Sequence, residues 1–479
     1  MEKLSKSLLF FILTFSYFFA VADASIKTIK KANTPVYCEL SMLDESSHED
    51  SFRSKNIPEK SLPQRAEQNN STGRKLKIAI IGCIAVGHIT PTIDMIRALK
   101  SKGHDVVFYA PIYTQNLIES TGAKFIPYPE QKQAKITPID RKEIRVNETG
   151  LQLMSIFGGY TDYIMPWFLE NFEKEQFDAV IYSSLTIWGN AVASYFKIPY
   201  LCLGISVLPA EDNAWNQTHF YDEGKEQQLE FANRLHNQYN TTAVNLIEMF
   251  SCSYAKKVLM FSSQKFLEAA SNYRFSEPEK YFFLNSISSQ TSKNFISKLK
   301  ENSIIYLSLG TAFNQRPDIF ESIITYFNQT KYELIVSTGM NENLYQALTS
   351  KYNSSNIKIN LYTNQVRLLK DVAIFITHAG LNSIKEAISF TIPTVAIPQG
   401  ADQFWISKAI TDLKIGASVE DYEGSLDNKF KAAFQEIEQN FETYKENLKN
   451  VQKNYFDGPS FDESIMDLEN YLLDITDKQ

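Results

Sequence analysis

The chain has 479 residues, enough for two or three domains and a sizeable core. Hydrophobic residues make up 44% and charged residues 22%, an ordinary globular balance. The net charge is −7 with no basic run, so nucleic acid is not an expected partner.

The N-terminus carries Lys3 and Lys6, an apolar run from Leu8 to Val21, then Ala22-Asp23-Ala24. This pattern predicts a secretory signal peptide over 1–24, cleaved before Ser25. The run is short for a membrane-spanning helix. Sequons at Asn69, Asn70, Asn147, Asn216, Asn240, Asn328 and Asn353 fit a glycoprotein of the endoplasmic reticulum lumen or a secreted one. The C-terminal LENYLLDITDKQ contains no second apolar segment, so no transmembrane anchor is expected after cleavage. Residues 25–74 are polar and lack periodicity, and read as a disordered linker or propeptide. Cys38, Cys83, Cys202 and Cys252 are too few for a disulfide scaffold and lack metal-ligand spacing. Cys83 and Cys202 read as small core residues.

Order begins at Lys77, with a buried strand to Gly82. A loop from Cys83 to Thr90 leads to a helix opened by Pro91 and ended at Gly103. Further strands are expected at Asp105 to Ala110, Lys124 to Ile126, Asp178 to Tyr182 and Tyr200 to Leu203, with a helix around Trp188 to Phe196. Aromatic-rich insertions occupy 131–176 and 205–250. A second strand set comprises Ser303 to Leu309, Glu333 to Ser337, Ile357 to Asn360, Val372 to Thr377 and Thr394 to Ile397. From about Phe430 to Leu473 the chain reads as amphipathic helix. Alternating strands and helices imply parallel, doubly wound sheets, hence an α/β chain with two Rossmann-like halves.

The densest chemistry lies between Asp371 and Gln403. A buried strand ends at His378, a tight loop follows over Ala379 to Asn382, and a helix is expected from about Ser383 to Phe390. A second strand then ends in the loop Pro398 to Gln403. Six polar residues, His378, Asn382, Ser383, Glu386, Asp402 and Gln403, fall within 26 positions near strand ends. Ligands of open parallel sheets bind there. A glycine loop opening a helix offers bare N–H groups and a positive dipole end to an anion. Ser383-x-x-Glu386 also fits a capping box, which needs no ligand.

The turn from His378 through Ala379, Gly380, Leu381 and Asn382 to Ser383, with Glu386 three residues later and Asp402-Gln403 sixteen beyond, resembles the donor-binding signature of the UDP-dependent glycosyltransferases. The wider resemblance spans roughly Lys75 to Leu473. It implies the GT-B fold, two Rossmann-like domains facing across a cleft. The expected boundaries are 75–290 for an acceptor-binding domain, 291–445 for a UDP-sugar-binding domain, and 446–479 for a helix crossing back to the first.

The resemblance also implies roles. His378, Asn382 and Ser383 would hold the pyrophosphate, with Gly380 letting the backbone approach and Thr311 adding a donor from the opposite side. Glu386 would take the ribose hydroxyls, and Asp402 and Gln403 the sugar hydroxyls. The family stacks a tryptophan on uracil within a tryptophan-x-proline-glutamine turn. Here that turn is Tyr362-Thr363-Asn364-Gln365, so Tyr362 would stack and Gln365 face the ribose. No D-x-D motif occurs, and neither metal nor cofactor is expected.

Gly87-His88-Ile89-Thr90-Pro91 follows the first strand, and His88 would be the base that takes the acceptor's proton. The family supports this histidine with an aspartate, but Ser183 stands at that position. Three readings stay open: Ser183, Ser184 or Thr186 does a weaker version of the work, Glu211 or Asp212 arrives from a loop, or transfer is slow or lost. A carboxylate would stabilise the imidazolium that forms, which a hydroxyl cannot neutralise. Phe157, Tyr160, Tyr163, Trp167, Phe168, Trp188, Trp215 and Phe220 suggest an apolar acceptor pocket, although ordinary core packing explains each one singly.

The expected function is inverting transfer of a hexose, glucose by the leaning of Gln403, from a UDP-sugar to a hydroxyl of a small lipophilic acceptor. The alternatives are a weak or inactive UDP-sugar-binding protein, or a UDP-sugar epimerase or hydrolase of the same fold.

Overall fold

The computed structural model describes residues 73–83, 86–129, 149–204, 225–242, 248, 252, 254–271, 274–275, 277–284, 298–311, 316–399, 402–419 and 426–477. The signal and linker segments, four of the sequons (Asn69, Asn70, Asn147 and Asn216), and Glu211, Asp212, Trp215 and Phe220 lie outside the described residues.

Seven strands form the first sheet: β1 (Lys77–Ile81), β2 (Asp105–Ala110), β3 (Lys124–Pro127), β4 (Ala179–Ser183), β5 (Tyr200–Gly204), β6 (Val258–Met260) and β7 (Tyr281–Phe283). Six form the second: β8 (Ile304–Ser308), β9 (Glu333–Ser337), β10 (Ile357–Asn360), β11 (Val372–Thr377), β12 (Thr394–Ala396) and β13 (Gly416–Ser418). The orders are β3-β2-β1-β4-β5-β6-β7 and β10-β9-β8-β11-β12-β13. Every pairing is parallel. Both sheets therefore reverse their order once, between β1 and β4 and between β8 and β11. A reversal leaves a crevice at the carboxyl ends of the two strands, where doubly wound sheets bind ligands.

Parallel strands covered on both faces read as continuous apolar runs, and β11 is buried at all six positions. In the first sheet the two faces divide by alternation. Ala79 and Ile81 pack toward the helix Thr149–Asn171, whose Ile164, Met165 and Phe168 share their core. Ile78 and Ile80 pack into a core completed by Ile465, Leu468 and Leu472 of the last helix, Phe461–Asp477. That helix follows two others, Leu426–Gln439 and Phe441–Tyr455. Polar pairs seal its docking: Glu469 meets Lys102 at 2.7 Å and His104 Nε2 at 3.0 Å. His104 Nδ1 accepts the Leu76 N–H at 3.1 Å, so the proton facing Glu469 sits on Nε2.

Several expectations need correction. The short strands β6, β7 and β13, three residues each, were not anticipated. Such runs are too brief to show a period. The helix after β1 starts before Pro91, with a turn at Val86–Ile89 and a 3₁₀ turn at Thr90–Thr92, then Ile93–Ser101. The helix after β11 runs Leu381–Ser389, so Asn382 and Ser383 lie in its first turn. Gly380, in extended conformation, is its N-cap, and Ser383-x-x-Glu386 is therefore not a capping box. Cys202 is not a lone core thiol: it is bonded to Cys252, while Cys83 is buried and, among the described residues, forms no disulfide. A spacing of 50 residues carries no signal of that bond.

Leu468 is fully buried between the last helix and the first sheet. Leu468→Ala is expected to cost about 2–5 kcal/mol. Chemical denaturation followed by N-domain tryptophan fluorescence checks this, and an unchanged midpoint would mean that the helix does not support the first domain.

Candidate active site

The C-terminal crevice is built around His378. β11 delivers the histidine, and Ala379 then takes a left-handed backbone with φ 64°. That conformation is costly for a residue bearing a Cβ and persists only where the surroundings demand it. Here the turn wraps the chain around the imidazole. A Cβ on Gly380 would lie 2.6 Å from His378 Nε2, and one on Gly310 would lie 2.8 Å from Cε1. Gly310 follows β8 with φ +74°. The loops on either side of the order reversal thus enclose the ring, and neither tolerates a side chain. Burial lowers the His378 pKa to about 4, so near pH 7 the ring is neutral. It offers an anion a hydrogen bond rather than a charge.

The first turn of the helix Leu381–Ser389 presents Ser383, and its second presents Glu386. Gln365 opens a short helix capped by Asn364, whose side chain accepts the Arg367 N–H at 3.1 Å. From there Gln365 Nε2 donates to Glu386 Oε2 at 2.7 Å and to Ser383 Oγ at 3.2 Å. These three predicted residues form one polar cluster. Burial raises the Glu386 pKa, opposed by the Gln365 hydrogen bond and the Lys385 charge. Tyr362 is 47% exposed, as a stacking surface must be. Its hydroxyl pKa is raised, by burial first and then by the Glu386 charge.

After β12, Gln403 is buried and its Oε1 accepts the Gln399 N–H at 2.8 Å. That bond braces the loop bearing Asp402, which precedes the helix Gln403–Asp412. Thr311 is exposed just past Gly310.

The N-terminal crevice holds His88 on the short turn after β1. Its Nδ1 is sealed from solvent and, among the described residues, has no hydrogen-bond partner. Burial lowers its pKa to about 4. Ser183, at the end of β4, is 1% exposed, and its Oγ is equally unpartnered among the described residues. Thr186 spends its hydroxyl on the Ser183 carbonyl at 2.6 Å. Ser184 is buried.

The two crevices meet. Asn382 Nδ2, on the donor-side helix, donates to the Gly87 carbonyl at 3.0 Å, immediately before His88. From the next turn Lys385 Nζ donates to the Phe261 carbonyl beyond β6. The resemblance identified Asn382 but not this bond, and it missed Lys385 and the part Gly310 plays. Nothing in spacing reveals contacts between distant segments.

The aromatic expectation needs revision. Tyr160, Phe168 and Trp188 are buried in the first domain's core. The Tyr160 and Trp188 rings meet at 4.6 Å, tilted by 50°, and Trp188 Nε1 donates to Tyr128 Oη at 3.3 Å. Tyr163 and Trp167 pack partly buried against the same core. They form the packing under the helix Thr149–Asn171, not a described pocket wall. The Phe157 side chain lies outside the described residues.

Comparison with known proteins agrees with this geometry. A family model for the glycosyltransferase family 28 C-terminal domain matches residues 312–457. An uncharacterized UDP-glucosyltransferase, YojK, of Bacillus subtilis is 24% identical over 392 residues, covering 78% of this chain and 92% of its own. The NDP-glycosyltransferase YjiC of the same organism is 24% identical over 407 residues, covering 83% and 98%. The solved glycotransferase of kitacinnamycin superposes with a TM-score of 0.66 at 17% identity, covering 83% of this chain and 100% of that one. The chain is a glycosyltransferase enzyme of GT-B architecture. The family model and the UDP-glucosyltransferase relatives support a UDP-glycosyltransferase.

A titration tests the Gln365–Ser383–Glu386 cluster. Only ionised Glu386 accepts two hydroxyls, and its raised pKa brings protonation in at higher pH than for an ordinary carboxylate. UDP affinity is therefore expected to fall with falling pH, and to begin falling at a higher pH than an ordinary carboxylate would set. The β-phosphate also titrates, so calorimetry on Glu386→Gln isolates the effect. An identical pH dependence in that variant would remove Glu386 from the donor site.

Proposed function

We propose that the protein transfers a hexose, glucose in the first instance, from a UDP-sugar to a hydroxyl of a small lipophilic acceptor, with inversion. The observation that carries this reading is the bridging of His88 and the His378 turn, one from each sheet reversal, by the Asn382–Gly87 bond.

His88 Nδ1 is sealed, so Nε2 is the nitrogen that takes the acceptor's proton. The acceptor oxygen then attacks the anomeric carbon as the bond from that carbon to the diphosphate breaks. UDP departs with the electron pair. Neutral His378, Ser383 and the N–H groups opening the helix Leu381–Ser389 meet its developing charge, preorganised donors of the kind that stabilise a leaving group. Glu386 and Gln365 hold the ribose, Tyr362 the base, and Asp402 with Gln403 the sugar. Thr311 adds a donor from the β8 side. No cofactor takes part. The transferase names of the relatives favour transfer over the hydrolytic, epimerase and binding-only alternatives.

We place the protein in the secretory route on its own features, since the relatives cited are bacterial. The apolar N-terminal run and the Ala22-Asp23-Ala24 site support this reading, and so does the Cys202–Cys252 bond, because disulfides persist in oxidising compartments. N-terminal sequencing of protein expressed in a eukaryotic host should begin at Ser25; an intact Met1 would refute cleavage there.

The functional assay is UDP release from UDP-glucose, with and without pooled lipophilic alcohols and phenols. Acceptor-dependent release is expected, falling roughly a hundredfold or more in His88→Ala while UDP still binds. Release equally fast without acceptor would point to hydrolysis. Unchanged turnover in the variant would strip His88 of its role.

A further inference from the structure

We infer that Asn382 is a positioning residue for the base as well as a member of the donor motif: it ties the donor-binding helix to the His88 turn, so that the base is oriented from the opposite domain. The inference rests on His88 being the base.

The helix Leu381–Ser389 carries two adjoining polar stripes, each spaced i, i+3. Ser383 and Glu386 form one and meet Gln365. Asn382 and Lys385 form the other and reach the first domain, at Gly87 and Phe261. Lys385 is 5% exposed, so this second tie is buried between the domains. Gln452 adds a brace behind the helix, donating to the Ser389 carbonyl at 2.9 Å. A displacement of this helix therefore moves both stripes.

At the receiving end, the His88 turn is only four residues long. No polar partner among the described residues holds His88 Nδ1, and its strand-end neighbour Ser183 is equally unpartnered. No described hydrogen bond at Nδ1 fixes the ring, which leaves its orientation to packing and to the backbone of the turn. The carbonyl directly before His88 is the group that Asn382 grips. Losing that grip leaves the donor cluster intact and unfastens the base.

The experiment uses purified protein labelled at histidine with ¹³C. Six histidines make the ring spectrum sparse, and His88→Ala assigns the His88 signal. Asn382→Ala, and Asn382→Asp, which keeps the volume but loses the donor, are expected to shift that signal. They should lower acceptor-dependent kcat about tenfold at saturating UDP-sugar, the scale of one hydrogen bond, beyond whatever UDP affinity is lost from the donor motif. Combined with His88→Ala, Asn382→Ala should cost nothing more, since the two act through one group. An unmoved His88 signal overturns the inference whatever the turnover. So does weakened UDP binding with unchanged kcat, or full additivity with His88→Ala, because Asn382 would then serve the phosphates alone. A moved signal in a protein that shows no acceptor-dependent release would sustain the contact and sink the transfer reading instead.

Discussion

The site depends on a steric fact about parallel sheets. When strand order reverses, the loops leaving two neighbouring strands turn to opposite faces, and the carboxyl ends between them stay open. This chain does so twice, at β1/β4 and β8/β11. Each opening holds one histidine. In the second, the imidazole fills the space that Gly310 and Gly380 leave by lacking a Cβ. The left-handed Ala379 is part of the same constraint, because the chain must double back around the ring before its helix can begin.

Electrostatics follow from that enclosure. Both histidines have burial-lowered pKa values of about 4 and are neutral near pH 7. On the proposed reading, a neutral His378 offers the diphosphate a hydrogen bond, and a neutral His88 is already in the form a base requires. Glu386 is shifted upward by burial, and its charge is sustained by Gln365 first and then Lys385. The donor cluster is thus a set of groups that hold one another in their working states.

Much of this was legible in the sequence. The long strands β1, β2, β4, β8, β9 and β11 are continuous apolar runs, and burial on both faces is what such runs mean. The HAGLNS turn, Glu386 and Gln365 are legible through the family resemblance, which a short motif carries in the sequence itself. What was not legible is tertiary. The Cys202–Cys252 bond, the Gly310 wall beside His378, and the ties from Asn382 and Lys385 to the other domain all join segments far apart in the chain. The aromatics of the helix Thr149–Asn171 misled for a related reason. Composition says that a surface is apolar, not whether a core or a ligand covers it, and for Tyr160 and Phe168 a core does.

Ser183 bears most directly on mechanism. A base that is neutral because it is buried becomes a buried cation when it takes a proton, and such a charge needs a partner. By the resemblance, Ser183 takes the place of an aspartate, and a serine cannot neutralise an imidazolium. On the proposed reading, the opposite charge arises in the same step, on the departing diphosphate across the cleft. At about 8 Å and an effective dielectric constant of 20, attraction between two such charges is about 2 kcal/mol. It weakens severalfold if water enters or the domains part. A transferase with a fixed carboxylate carries its compensation within one domain. One without it depends on the cleft staying closed, and closure here runs through Asn382 and Lys385, on the same helix that bears the donor cluster.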